Sequence, residues 1–144
     1  MLNDSGTEID EEFLGYFLEE SILVLTNLKS FIKIFNGPDD ITNFEKFGQQ
    51  VDRIMGAAYT LSLKFIGDLA RTGKELGYKS TQIEQIDKLL VIHSLLSQLA
   101  KALDLLIKNF DRGIQPNYYE FEPLLKRLRK ASEDLGDLRA TVHA

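Results

Sequence analysis

Few side chains in this 144-residue chain have the type and spacing that chemistry needs. Cysteine is absent, which removes disulfides and thiolate metal sites, and the two histidines, His93 and His143, lie far apart with no tight carboxylate cluster near them. No metal site, cofactor or catalytic group follows. Ser21, Ser94 and Ser97 lack a paired base, so a nucleophilic triad is unsupported. His93 sits beside an apolar helical seam and reads as a half-buried structural residue. Glu45 and Gln49 place a carboxylate and an amide one helical turn apart, which could orient a water molecule, but so short a pattern is common. The most unusual group is Gln49, Asp52, Arg53, Met55, Gly56 and Tyr59, within and just before the stretch Val51 to Leu61. Asp52 follows the apolar Val51 by one residue and so points about 100° away from the seam. Met55, Gly56 and Tyr59 lie three, four and seven residues further on and are expected to share its outward face. Apolar groups beside a bare glycine suit an interface, and the alternative for Met55 and Tyr59 is partial burial against the edge of a neighbouring helix.

Helices must position these residues, because every long segment repeats its apolar positions three and four apart and none alternates as a strand does. The first helix is expected from about Asp10 to Phe35, with Leu14, Phe17, Ser21, Leu25, Leu28, Ile32 and Phe35 on one stripe. It should stop at Asn36-Gly37-Pro38. Asp39 or Asp40 can cap the second helix, whose seam is Phe44, Phe47, Val51, Ile54, Ala58 and Leu61. A third, shorter helix carries Phe65, Ile66, Leu69 and Leu76 and ends near Gly77. Its internal Gly67 and Gly73 each cost about 1 kcal/mol relative to alanine, which implies close helix approach or fraying. Thr81-Gln82-Ile83-Glu84 reads as a capping box opening the fourth helix, with the seam Leu89, Ile92, Leu96, Leu99, Leu103, Leu106 and Phe110. After a break at residues 111–116, Asn117 should cap a fifth helix striped by Phe121, Leu124, Leu128, Ala131, Leu135 and Leu138. The expectation is an all-α fold: an antiparallel up-down four-helix bundle with an additional C-terminal helix. It forms a single domain with its core over about residues 10–138 and flexible termini.

The net charge of −5 argues against nucleic-acid binding. No uninterrupted apolar run approaches the length needed to span a bilayer, and the first residues lack the basic region of a signal peptide. A cytoplasmic location without membrane contact is expected. Charge is uneven, with acidic residues loading the first helix and Lys126, Arg127, Arg129 and Lys130 clustering in the last, as solvated faces and helix-dipole complementarity would have it.

The stretch Val51-Asp52-Arg53-Ile54-Met55-Gly56-Ala57-Ala58-Tyr59-Thr60-Leu61 resembles the signature helix of histidine-phosphotransfer domains. That pattern reads roughly Ala-His-Ser/Thr-Leu-Lys-Gly, followed by small residues and a leucine. Asp52 stands in the place of the phosphoaccepting histidine and Met55 in that of the lysine. Gly56, Ala57, Ala58 and Leu61 match, and Ser62 is a small residue where the pattern often has glycine. The segment Asp10 to Glu20 is similar to the first helix of the phosphotransfer domains of chemotaxis-type kinases, which also carry a fifth helix, so the likeness covers about residues 10–138.

An exposed imidazole is nucleophilic near neutral pH and forms a phosphoramidate able to pass its phosphoryl group on, while a lysine one turn later steadies the added charge. Both groups are replaced here. The resemblance therefore implies a binding protein rather than an enzyme. Its partner would be a response-regulator receiver domain or a histidine kinase, met through Gln49, Asp52, Arg53, Met55, Gly56 and Tyr59, with the chain a monomer or weak dimer. The alternatives are a receiver-domain phosphatase built on an acid and an amide such as Glu45 and Gln49, a relay using a different residue, or a helical assembly module unrelated to signalling.

Overall fold

The computed structural model of the chain describes the backbone of residues 1–33 and 41–143 and the side chains of residues 1–32 and 41–136. The expected stop at Asn36-Gly37-Pro38, the Asp39 or Asp40 cap, Phe35, and the side chains of Leu138 and His143 lie outside those residues. Within them the chain forms five α-helices: α1 (Glu11–Lys33), α2 (Ile41–Thr60), α3 (Lys64–Ser80), α4 (Ile86–Asp111) and α5 (Glu122–His143). A 3-10 turn over Tyr118–Phe121 leads into α5. Among the described residues the protein is all-α, and its only β-type pairing is an isolated bridge between Leu2 and Glu8. Helix α1 packs on α2 and α4, and α3 packs on α2, α4 and α5.

The apolar stripes account for this packing. All seven seam residues expected on α4 are buried, as are Phe44, Phe47, Val51, Ile54 and Ala58 of α2. Helix α1 starts where Asp10 Oδ1 accepts the amides of Glu12 and Phe13 at 2.9 and 3.3 Å, a side-chain cap on its first turn. Its buried face holds Phe17, Ser21, Leu25 and Leu28, and also Val24 and Phe31, which the expected stripe omits. Ser21 is the one buried side-chain polar group among the described residues with no hydrogen-bond partner. By length and composition α4 could cross a membrane, with a mean hydropathy of 1.5 over its most apolar window. Core helices pass the same test, and the α4 seam is covered by neighbouring helices here.

Gly67 and Gly73 mark close approach, not fraying. A Cβ on Gly67 would fall 2.5 Å from the Tyr59 ring, and one on Gly73 would collide with Leu99. Gly77 meets backbone instead of side chain: its Cβ would lie 2.6 Å from the carbonyl oxygen of Phe44 and 3.0 Å from the amide of Gly48. Backbone cannot move aside as a side chain can, so α2 and α3 are joined along a seam that only glycine permits. The turn between them runs through Ser62 in the left-handed region, at φ 59°, where the Leu63 amide bonds back to the Ala58 carbonyl at 2.9 Å. Glycine serves that position with less strain.

One expectation is corrected. Thr81 does not open α4: it is the C-cap of α3, and its hydroxyl donates to the Tyr78 carbonyl at 2.7 Å. Helix α4 begins at Ile86, and its N-cap residue Gln85 makes no side-chain capping bond. The helical φ and ψ of Thr81 extend α3 past Gly77 and leave no room for a cap there. The first residues make specific contacts with the helices. Ile9 is buried in the core, Asp4 Oδ2 accepts the amide of Phe65 in the first turn of α3 at 2.8 Å, and Asp4 Oδ1 accepts the Tyr118 hydroxyl at 3.0 Å. The Tyr118 ring stacks on Phe65 with centroids 4.5 Å apart. Burial, then the charge of Asp4 and its hydrogen bond, push the Tyr118 hydroxyl well above its ordinary pKa. Asn117 does cap, but it caps the 3-10 turn, accepting the Tyr119 amide at 3.1 Å.

Candidate functional site

The residues singled out on α2 divide into two rows, because α3 covers one side of the helix. Gln49, Arg53 and Gly56 are exposed and fall at spacings of four and three, which makes one outer ridge. Asp52, Met55 and Tyr59 are only partly exposed and lean toward α3. The six side chains thus do not share one outward face.

Each row has its own partners. Asp52 Oδ1 pairs with Lys74 Nζ of α3 at 2.9 Å, and this hydrogen bond is the first cause raising the Lys74 pKa. Met55 packs against the core. The Tyr59 ring lies over Gly67 and its hydroxyl donates to Asp68 Oδ1 at 2.6 Å. Burial, followed by the Asp68 hydrogen bond, raises the Tyr59 pKa, while Arg71 pulls it the other way. Asp68 also meets Arg129 of α5 at 3.5 Å, so the network runs from α2 through α3 to α5. On the opposite side Arg53 reaches Glu20 of α1, with both Nε and Nη2 2.6 Å from Oε1.

Gly56 is the contrast to the seam glycines: nothing lies within 4 Å of where its Cβ would be. A partner's surface could approach the α2 backbone there without meeting a side chain. Asp52, beside it, stays at the surface with its charge matched by Lys74. The Asp52 carboxylate is held by one cation, and among the described residues no cluster of three or more His, Cys, Asp or Glu could hold a metal ion.

Other sequence candidates have structural work. The Nε2–H of His93, in the tautomer that donates, bonds to the Phe31 carbonyl at 2.7 Å, and the ring packs 4.8 Å from that of Phe31. The Ser97 hydroxyl donates to the His93 carbonyl at 2.8 Å, the usual back-bond of a helix serine. Glu45 and Gln49 are both exposed on α2.

Sequence reasoning missed Lys74, Glu20 and Asp68, the partners that orient the α2 residues. Lys74 had a signal: an antiparallel α2–α3 hairpin closing at residues 61–63 brings the middle of α3 opposite Asp52. No family model, curated protein or solved structure matches this chain.

Proposed function

We propose that the chain is a histidine-phosphotransfer-like domain that has lost its phosphoacceptor and acts by binding. Its helices α1 to α4 are read as an antiparallel up-down four-helix bundle with α5 laid against α3 and α4, located in the cytoplasm. The partner is a response-regulator receiver domain or a histidine kinase, met at the ridge of Gln49, Arg53 and Gly56 with Asp52 and Met55 at its edge. By occupying a receiver's docking surface without donating a phosphoryl group, the protein serves as a competitor, sequestering factor or adaptor.

The observation that carries this reading is the pairing of open space at Gly56 with a carboxylate at Asp52, on a helix whose pattern calls for histidine and glycine at those positions. Lys74 adds support. It brings from α3 the cation that Met55 does not supply, so the site keeps a positive charge beside the acceptor position. A second reading, a receiver-domain phosphatase, draws on the shared exposure of Glu45 and Gln49 one turn apart.

One experiment separates them. Purified protein is incubated with a panel of phosphorylated receiver domains: unchanged label lifetime with measurable complex formation supports binding. Accelerated loss of label that disappears in Gln49→Ala supports the phosphatase, and label on this chain supports a relay. The double substitution Asp52→His with Met55→Lys should gain weak phosphoryl acceptance. A folded double variant that stays unlabelled across kinases and receivers, together with no receiver complex for the native chain, overturns the proposal.

A further inference from the structure

Part of the groove between α1 and α2 is floored by Phe13, Tyr16, Phe17, Ala57, Thr60 and Leu61. Phe13, Tyr16 and Leu23 remain 59%, 60% and 51% exposed, and their spacing puts them in one stripe along α1 at the groove's edge, where Leu23 lines an adjoining depression with Tyr16, Glu19 and Glu20. Three large apolar side chains left in water on one helix edge form a patch of the kind that marks an interaction surface. The rim is acidic. Glu20 lines the groove in an ion pair with Arg53, Glu19 lies beside Tyr16 and Leu23, and Glu12 accepts the Tyr16 hydroxyl at 3.4 Å; among the described residues neither Glu12 nor Glu19 is in an ion pair.

We infer that this groove docks an amphipathic helix of another protein, one with an apolar stripe at i, i+4 and i+7 flanked by lysine or arginine. The apolar floor takes the stripe, and the carboxylates of Glu12 and Glu19, beside Tyr16, take the cations. A second copy of this chain does not fit. The exposed cations Lys126, Arg127, Arg129 and Lys130 sit on α5, which has no large exposed apolar side chain among its described residues. The exposed Ile86, Leu90 and Val91 of α4 flank the mutually cancelling charges of Asp87 and Lys88. The inference is independent of the phosphotransfer resemblance, since Phe13, Tyr16, Leu23 and Glu19 belong to none of the receiver contacts proposed above.

The test uses two labelled peptides of about 20 residues, long enough for several helical turns. Both carry the same leucine stripe; one has lysine and the other glutamate at the flanking positions. Fluorescence anisotropy with the full chain should show saturable binding of the lysine peptide and at least about tenfold weaker binding of the glutamate peptide. Phe13→Ala with Tyr16→Ala should weaken the lysine peptide by about tenfold, as loss of aromatic anchors does, and Glu19→Lys should weaken it further in low salt. The charge-matched control Glu133→Lys on α5 should leave it unchanged. If the double variant loses its helical circular dichroism, Leu23→Ser together with amide shift mapping of the native chain replaces it, with shifts expected on α1 and α2. Equal binding of both peptides, insensitivity to the groove variants, shifts centred elsewhere, or a dimer that the peptide dissociates would each overturn the inference.

Discussion

Along its α3 side, helix α2 comes so close to its neighbour that Gly77 would place a Cβ 2.6 Å from the Phe44 carbonyl; along its α1 side it leaves Phe13, Tyr16 and Ala57 lining a groove and Gly56 facing open space. The same residue type therefore serves opposite ends on one helix pair. At the seam, glycine lets two backbones meet and fixes the register that brings Lys74 to Asp52 and Asp68 to Tyr59. On the ridge, glycine removes bulk from a surface. The α3 side holds Asp52 and Tyr59 in place, and the α1 side leaves a groove uncovered.

The strongest challenge to this contrast is Gly77→Ala. Overpacking against backbone should cost about 3 kcal/mol of folding stability in urea titration, and a cost no larger than that of Gly56→Ala would break the comparison. Next is Tyr59→Phe, which removes the bond to Asp68 and should cost about 1 kcal/mol. The pH response gives a separate check. The folded state holds the Tyr59 hydroxyl above its ordinary pKa of 10.0, so it keeps a proton that the unfolded chain releases. That contribution is complete below pH 10.0 and is lost as pH rises above it, and Tyr59→Phe should flatten the alkaline decline. Gly56→Ala should act with the opposite sign to Gly77→Ala, raising stability by up to about 1 kcal/mol through helix propensity alone. Smallest of all, Phe13→Ala should change stability by no more than about 0.5 kcal/mol, since the ring is mostly in water; a large loss would make the groove a structural contact.

The periodic features of the fold were legible in the residues because burial imposes them directly. The α4 seam from Leu89 to Phe110 and the α2 seam from Phe44 to Ala58 required only counting by three and four. What spacing along one helix does not contain is what a neighbouring helix contributes. Asp52 and Tyr59 point away from their own seam, as expected, but α3 fills that direction and supplies Lys74 and Asp68. The Thr81 motif misled for a related reason. A Ser/Thr-x-x-Glu sequence fits a helix start, yet the same hydroxyl can turn back to the helix that precedes it, and here it bonds Tyr78.

The cap that Asp4 places on Phe65 comes from outside α3 and its adjoining turn, since the N-cap residue Leu63 makes no capping bond of its own. The first turn of α3 therefore depends on contact between segments that lie far apart along the chain, and its amide becomes a reporter of that closure. Hydrogen exchange at Phe65 should follow detachment of residues 1–9 rather than opening of the helix itself, so a sub-global unfolding event could be timed at a single backbone site. In folding, α2 and the body of α3 can assemble early from nearby contacts. This last turn must wait until the beginning of the chain finds it.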